Sequence, residues 1–259
     1  MMKIHQIRNA TIIVGLGTYR VLVDPMLARK GALPALRFLK DRRRNPTVDL
    51  PETAPEALAA VTHCLITHCQ RGHFDHLDRA GARWLRERQI PVICTPHDAA
   101  YLAKLGLNVQ SLPQGHEEPV PFLNGTIRTV RCTHGGGLVG RLMEHGVGYL
   151  IEQPGEPSLY LAGDTVLTPE IRAFVREHQP QVSVIPGGGA RFDIGGHIIM
   201  GIANVLEFLT ISTGAVIVNH LEAINHCPVT RKDLARAAAA SSYMSRLLVP
   251  DDGQELEWG

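Results

Sequence analysis

The residues of this chain best suited to chemistry lie in Thr67-His68-Cys69-Gln70-Arg71-Gly72-His73-Phe74-Asp75-His76-Leu77-Asp78, which follows an apolar strand and precedes a helix pattern. Four potential metal ligands, His68, His73, Asp75 and His76, fall within nine residues of it. Imidazole and carboxylate together suit a borderline cation such as zinc, and a loop between strand and helix can aim several such groups at one point. A buried ion would also offset the cost of gathering these groups away from water. Histidine is plentiful, 13 in 259 residues, and several histidines sit among glycines and aspartates at strand ends, where metal sites are built.

The elements that must position these groups are legible as hydrophobic periodicity. Ala10 to Val14 and Tyr19 to Val23, joined by Gly-Leu-Gly, predict an antiparallel hairpin. From Met26 to about Pro55 the chain is rich in Pro, Gly and charge, with one short helical pattern near Leu33 to Leu39, which reads as an insertion of the kind that forms lids. Strand and helix then alternate: Leu65 to Thr67, a helix over 80–88, Pro91 to Thr95, a helix from His97, and a strand near Val109. Strands follow at Thr126 to Cys132, Val147 to Gln153 and Ser158 to Gly163, then a helix over 169–177 and the strand Val182 to Pro186. A helix over 202–209, the strand Ala215 to Asn219, a helix near Leu234 to Ala240 capped by Thr230, and a strand at Leu247 to Val249 close the chain. Strands then αβ units, twice over and without a linker or repeat, predict an α/β four-layer αββα sandwich in a single domain.

Composition excludes several classes. No run approaches the roughly 18 apolar residues of a membrane span. The N-terminus turns polar at Arg8 and Asn9, unlike a secretory signal, so a cytoplasmic location is expected. A formal charge of +1 gives no general attraction to nucleic acid or anionic membranes, and the basic run Arg42, Arg43, Arg44 reads as a solvated loop. Cys64, Cys69, Cys94, Cys132 and Cys227 are odd in number and lack a C-x-x-C pair, so they are read as small apolar packing groups.

His73-Phe74-Asp75-His76 matches the second half of the His-x-His-x-Asp-His motif of the metallo-β-lactamase superfamily, and nearly the whole chain resembles that superfamily. The first half departs: His68 precedes His73 by five residues, where the family spacing is two. Cys69 to Gly72 must bulge out if His68 is a ligand; Cys69 or an empty position are the alternatives. The resemblance implies three further ligands, each at a strand end. They are His134 in Cys132-Thr133-His134-Gly135-Gly136-Gly137, Asp164 in Leu161-Ala162-Gly163-Asp164-Thr165, and His220 in Ile217-Val218-Asn219-His220. It implies two divalent ions, zinc before manganese or iron, with His68, His73 and His134 on one, Asp75, His76 and His220 on the other, and Asp164 bridging. Such a pair lowers the pKa of a bridging water from 15.7 toward about 7, and Asp75 could act catalytically by orienting the resulting hydroxide. Ile7-Arg8-Asn9-Ala10-Thr11 and Val23-Asp24-Pro25 resemble the branch that includes L-ascorbate-6-phosphate lactonase. Asp24 is expected either to fix the tautomer of a ligand histidine or to cap its loop.

Two more histidines, His197 and His226, lie in segments that could face the cleft, as catalytic or substrate contacts or as plain structure; His226 could protonate a leaving group or, with Arg231 close by, contact an anion. Gly187-Gly188-Gly189 could cradle an anion or simply turn. His5, His63, His97, His116, His145 and His178 are read as structural or solvent-exposed. The implied function is hydrolysis of an ester-type bond, a phosphodiester or lactone, in a small anionic substrate by metal-activated water. The alternatives are an iron-dependent redox enzyme on the same fold and a non-catalytic metal-binding scaffold; homo-oligomerisation is left open.

Overall fold

Alternation along the early strands sorts apolar side chains into two layers. In β2 (Thr11–Leu16) and β3 (Tyr19–Val23), Ile12, Val14, Val21 and Val23 enter a core between two sheets, whereas Ile13 and Leu22 face helices on the other side. The computed structural model describes residues 1–259 apart from 71, 114–117, 136–145, 240, 242 and 259. His116, His145, Gly136 and Gly137 therefore lie outside the described residues.

The first sheet has the order β14-β1-β2-β3-β4-β5-β6. Here β1 is Met2–Arg8, β4 His63–Leu65, β5 Pro91–Cys94, β6 Asn108–Ser111 and β14 Glu255–Trp258. Pairing is antiparallel from β14 to β3 and parallel from β3 to β6. Helices α1 (Ala54–Ala59), α2 (Arg79–Glu87) and α3 (Pro96–Lys104) send Leu58, Leu85 and Leu102 onto its outer face.

The second sheet repeats the plan with β7 (Val120–Phe122), β8 (Gly125–Arg131), β9 (Val147–Glu152), β10 (Leu159–Leu161), β11 (Val182–Pro186), β12 (Ala215–Asn219) and β13 (Leu247–Leu248), in the order β13-β12-β11-β10-β9-β8-β7. Its pairs are antiparallel from β7 to β10 and parallel from β10 to β13. Helices α4 (Pro169–His178), α5 (Ile202–Ile211) and α6 (Arg231–Ala238) cover its outer face through Ile171, Val175, Phe208 and Leu234. Tyr149, Ile151, Leu161, Val184 and Ile217 share the inner core with β2 and β3. The result is the expected αββα sandwich in one domain. Among the described residues no helix is long and apolar enough to cross a membrane. All five cysteines are free and buried.

Several elements differ from expectation. No helix forms at Leu33 to Leu39, where a single bridge pairs Leu33 with Asn45. The N–H groups a helix would use are taken by distant side chains: Leu36 N donates to Asn225 Oδ1 at 2.8 Å, and Phe38 N and Leu39 N donate to Asp193 Oδ2 at 2.6 and 3.1 Å. The last helix begins at Arg231, directly after its Thr230 cap, because Thr230 and Asp233 form a reciprocal capping box. β1, β7, β14 and α1 are not anticipated by the periodicity.

The insertion is tied down by Arg8, which is fully buried. Its guanidinium donates to Met26 O at 2.6 Å, Ala28 O at 2.9 Å and Val48 O at 3.2 Å. Burial pushes this group down to about 10, against the pull of Asp78, Asp252 and Asp49. Replacing it strands three carbonyls and leaves a void. Arg8→Ala is expected to lower the unfolding free energy by about 3–5 kcal/mol, with Arg8→Lys in between, read by urea denaturation; an unchanged midpoint in Arg8→Ala would show the clamp to be dispensable.

Candidate metal centre

The strands that run parallel end at one rim of the sandwich, and their trailing residues meet there. Asp24 follows β3, Thr67 and His68 follow β4, His134 follows β8, Asp164 follows β10 and His220 follows β12. His73, Asp75 and His76 come from the loop leading to α2, where Gly72 at φ +91° lets the chain turn back. Between His68 and His73, Gln70 Nε2 is anchored on Asp98 Oδ1 at 2.8 Å and His97 O at 3.0 Å, while residue 71 lies outside the described residues.

Two groups of buried donor atoms result: His68, His73 and His134 in one, and Asp75, His76, Asp164 and His220 in the other, with the donor atoms of each group within 4.8 Å of one another. Asp164 Oδ2 stands 3.1 Å from His76 Nε2, 3.3 Å from His220 Nε2 and 3.6 Å from His134 Nε2, so it touches both groups. Asp75 Oδ2 is 3.3 Å from His220 Nε2. Cys69 is not among these donors; it packs in the core beneath α2 and α3, where burial pushes its thiol well up.

Each ring is oriented through its Nδ1. His76 Nδ1 meets Asp24 Oδ2 at 2.8 Å, and His134 Nδ1 donates to Ile198 O at 3.0 Å. His73 Nδ1 donates to Gln70 O. His68 Nδ1 lies 2.9 Å from Thr67 Oγ1, whose own proton goes to Asp24 Oδ2 at 2.6 Å, so the hydroxyl accepts from His68. His220 Nδ1 lies 3.3 Å from Cys227 Sγ. With every Nδ1 engaged, each Nε2 is left to face the centre, the arrangement found around metal-bound histidines. The contacts of Asp24 match both of its readings, since its carboxylate meets His76 Nδ1 and also accepts from Thr67 N at 2.8 Å at the start of the site loop. Thr67, Ile198 and Cys227 were missed as partners. Thr67 adjoins a ligand candidate and was within reach of sequence reasoning; the other two meet their histidines only through the fold.

The donor set fits a cation. His134 Nε2 is buried and makes no hydrogen bond. Five imidazoles and two carboxylates buried together are costly unless a positive ion takes up their lone pairs. Local backbone conformation is also spent here, since Asp24 at φ +47° and His220 at φ +55° occupy the left-handed region, at about 1 kcal/mol or more each. Gly188 is needed beside them, because a Cβ there would fall 2.1 Å from His220 O. Two of the three N–H groups of Gly187 to Gly189 are spent on Asn219 O and Met200 O, so this run acts as a turn.

The two outlying histidines differ. His226 is buried, stacks on Phe192 at 5.9 Å with an 8° interplanar angle, and lies 6.2 Å from the His220 ring. His197 is exposed and held by Gly189 O at 2.9 Å, outside both donor groups. Arg231 is occupied by Glu222, Asp252 and Pro250 O rather than turned to the centre.

Without metal, charge at the site is strongly redistributed. Burial disfavours the charged His76 ring, yet Asp164, Asp24 and Asp75 push it up to about 10. Burial, only partly opposed by the carboxylates, brings His134 and His226 down to about 4. His76 therefore stabilises the fold fully below its ordinary 6.5 and loses that contribution as pH rises toward about 10, whereas the depressed rings lose theirs as pH falls from 6.5 toward about 4. Chelator-treated protein is expected to be most stable near pH 6.5 and less so on both sides; monotonic stability from pH 4 to pH 10 would contradict this charge arrangement.

Known proteins share this frame. Residues 19–220 match the β-lactamase superfamily domain Lactamase_B_2. The UPF0173 protein YddR of Bacillus subtilis (strain 168) is 33% identical, covering 98% of both chains. Among solved structures, an isothiocyanate hydrolase from Delia radicum gut bacteria is 30% identical with a TM-score of 0.89, covering 99% of both chains. A protein described as a possible metal-dependent hydrolase from Veillonella parvula DSM 2008 is 26% identical with a TM-score of 0.88 over the same share of each. The chain carrying this paired cage at the rim of an αββα sandwich belongs to the β-lactamase superfamily, within the UPF0173 family of metal-dependent hydrolases.

Proposed function

We propose that this protein is a dinuclear metal-dependent hydrolase of small molecules, with His68, His73 and His134 holding one ion, Asp75, His76 and His220 the other, and Asp164 shared. The observation that carries the reading is the reach of Asp164 Oδ2 to rings of both groups at 3.1–3.6 Å. The mixed imidazole and carboxylate set suits zinc, with manganese and iron as alternatives. When bound, the ions supply an acidified water and an electrophilic field for the scissile bond.

The chain's own residues do the rest. Asp75, held well below the usual carboxylate range by His76 and His220 despite its burial, stays charged and accepts a hydrogen bond from the attacking water. His226, kept neutral by burial, offers one N–H and one acceptor lone pair, so it orients a polar atom of the substrate rather than carrying a positive charge to it. Met26, Leu33 and Leu36 of the insertion pack with Phe74, Phe192 and Ile198 beside the centre and exclude water from that side, as a partial lid over 26–55 would.

The proposed bond is of ester type, a lactone or phosphodiester. A second reading, an isothiocyanate, is favoured by the full-length likeness to the isothiocyanate hydrolase and by the engagement of Arg231, which leaves that guanidinium unavailable to an anionic substrate. Addition of water to the central carbon of an isothiocyanate gives a thiocarbamate that breaks down to an amine and carbonyl sulfide.

Protein purified without chelator is expected to carry two equivalents of metal per chain by elemental analysis and to lose turnover with chelator. Turnover on a lactone panel, on bis(p-nitrophenyl) phosphate or on an aryl isothiocyanate identifies the bond. A joint Asp75→Ala, His76→Ala variant is expected to remain folded and lose turnover; metal-free, inactive wild-type protein would sink the hydrolase reading. Asp24→Asn is expected to weaken metal binding about 10–100-fold, and Cys227→Ala toward the lower end of that range, in competition with a chromophoric chelator. Equal affinity in all three proteins would show that the Nδ1 partners do not tune the rings.

A further inference from the structure

Few large apolar side chains are exposed among the described residues, and three of them lie on adjoining segments: Phe38 at 61%, Leu39 at 73% and Ile194 at 83%. They belong to two segments that Asp193 joins, since its carboxylate accepts from Phe38 N and Leu39 N while Oδ1 lies 3.5 Å from Arg37 Nε. Asn225 braces the same tip from below, accepting from Leu36 N at 2.8 Å and donating to Arg37 O at 3.0 Å and Asp41 O at 2.6 Å. Arg42 Nε donates to the backbone carbonyl of Phe38 at 2.7 Å, which ties a cation to the same tip. The chain thus spends several hydrogen bonds on holding apolar side chains outward, instead of letting them collapse onto the core.

Around this tip lie exposed Lys40, Arg42, Arg43 and Arg44, four cations that outnumber the two carboxylates Asp41 and Asp193, which pair with Arg43 at 2.7 Å and with Arg37 at 3.5 Å. The whole chain carries only +1, so the positive field is local. A second copy docked face to face would oppose like charges across the contact. The apolar side chains project rather than line a groove, which suits insertion into a soft layer more than capture of a peptide. Projecting aromatic and aliphatic groups ringed by Lys and Arg match an anionic membrane interface, where the apolar groups enter the headgroup boundary and the cations meet lipid phosphates.

We propose that the tip formed by Phe38, Leu39 and Ile194, with Lys40, Arg42, Arg43 and Arg44, docks this protein reversibly on an anionic lipid surface. Asn225, the brace of the tip, directly precedes His226, so docking would hold the metal centre close to that surface.

The test is flotation of metal-loaded protein with vesicles of phosphatidylcholine alone or mixed in equal parts with phosphatidylglycerol, at low and high salt. Wild-type protein is expected to bind the mixed vesicles at low salt and to be released by high salt. Each basic side chain near such a surface adds roughly fivefold to partitioning, so Lys40→Glu with Arg43→Glu should lose at least about 25-fold. Phe38→Ser with Ile194→Ser should lose at least about tenfold, with an unchanged unfolding midpoint because neither side chain is buried. Wild-type protein that ignores the mixed vesicles, or variants that bind as wild type does, would overturn the proposal. So would a dimer, seen by light scattering, that Phe38→Ser with Ile194→Ser breaks, since the face would then belong to a second copy. Binding to immobilised polyglutamate but not to vesicles would equally overturn it, in favour of an acidic protein partner.

Discussion

The carboxylate of Asp24 meets three groups at once: the N–H of Thr67, the hydroxyl of Thr67 and Nδ1 of His76. Because the Thr67 proton is committed to Asp24, the hydroxyl has only lone pairs to offer His68, and that ring is held with its Nδ1 outward. One carboxylate therefore orients a histidine in each donor group. Its own burial disfavours the charged form, and the His76 ring and the Thr67 donors oppose that penalty. Asp164 Oδ2 then reaches His76 in one group at 3.1 Å and His134 in the other at 3.6 Å.

Such a cage needs a frame that brings distant strand ends together, and the paired sheets provide it. Within each sheet the parallel strands finish on the same side, and the shared core through Val21, Val23, Leu65, Leu161, Val184 and Ile217 fixes how the two rims face each other. The backbone at the rim is distorted to suit the site rather than the sheet. His220 in the left-handed region is held there by its own N–H on Asn9 O at 3.1 Å, and Asn9 is itself left-handed at φ +57°. The turn between β1 and β2 thus holds His220 in place, and the neighbouring Arg8 holds the insertion.

The insertion has no core of its own and takes its shape from the site side of the molecule. Asn225 and Asp193 supply hydrogen-bonding atoms that a helix would have supplied internally, and Arg8 gathers carbonyls from both ends of the segment. This makes the insertion, the 190s segment and the residues after His220 one connected unit, with an apolar lining inward and a basic, apolar tip outward.

Much of this was legible in the chain. The strands of the inner core announce themselves by β-branched runs, the α/β order by alternating periods, and the candidate donors by chemical type near strand ends, because local periodicity and side-chain chemistry are properties of short stretches of sequence. The edge strands β7 and β14 were not legible, since their short, half-exposed runs carry little apolar contrast. The helix expected at Leu33 to Leu39 failed because side-chain acceptors 189 and 155 residues away, Asn225 Oδ1 and Asp193 Oδ2, captured its N–H groups. Residue type named His68, His76 and His220 as ligand candidates, but only the fold decided which atom each ring presents, because that depends on Thr67, Asp24 and Cys227 reaching Nδ1 from other elements. Short-range pattern sets which groups stand at strand ends; the packing of two sheets sets which of them meet.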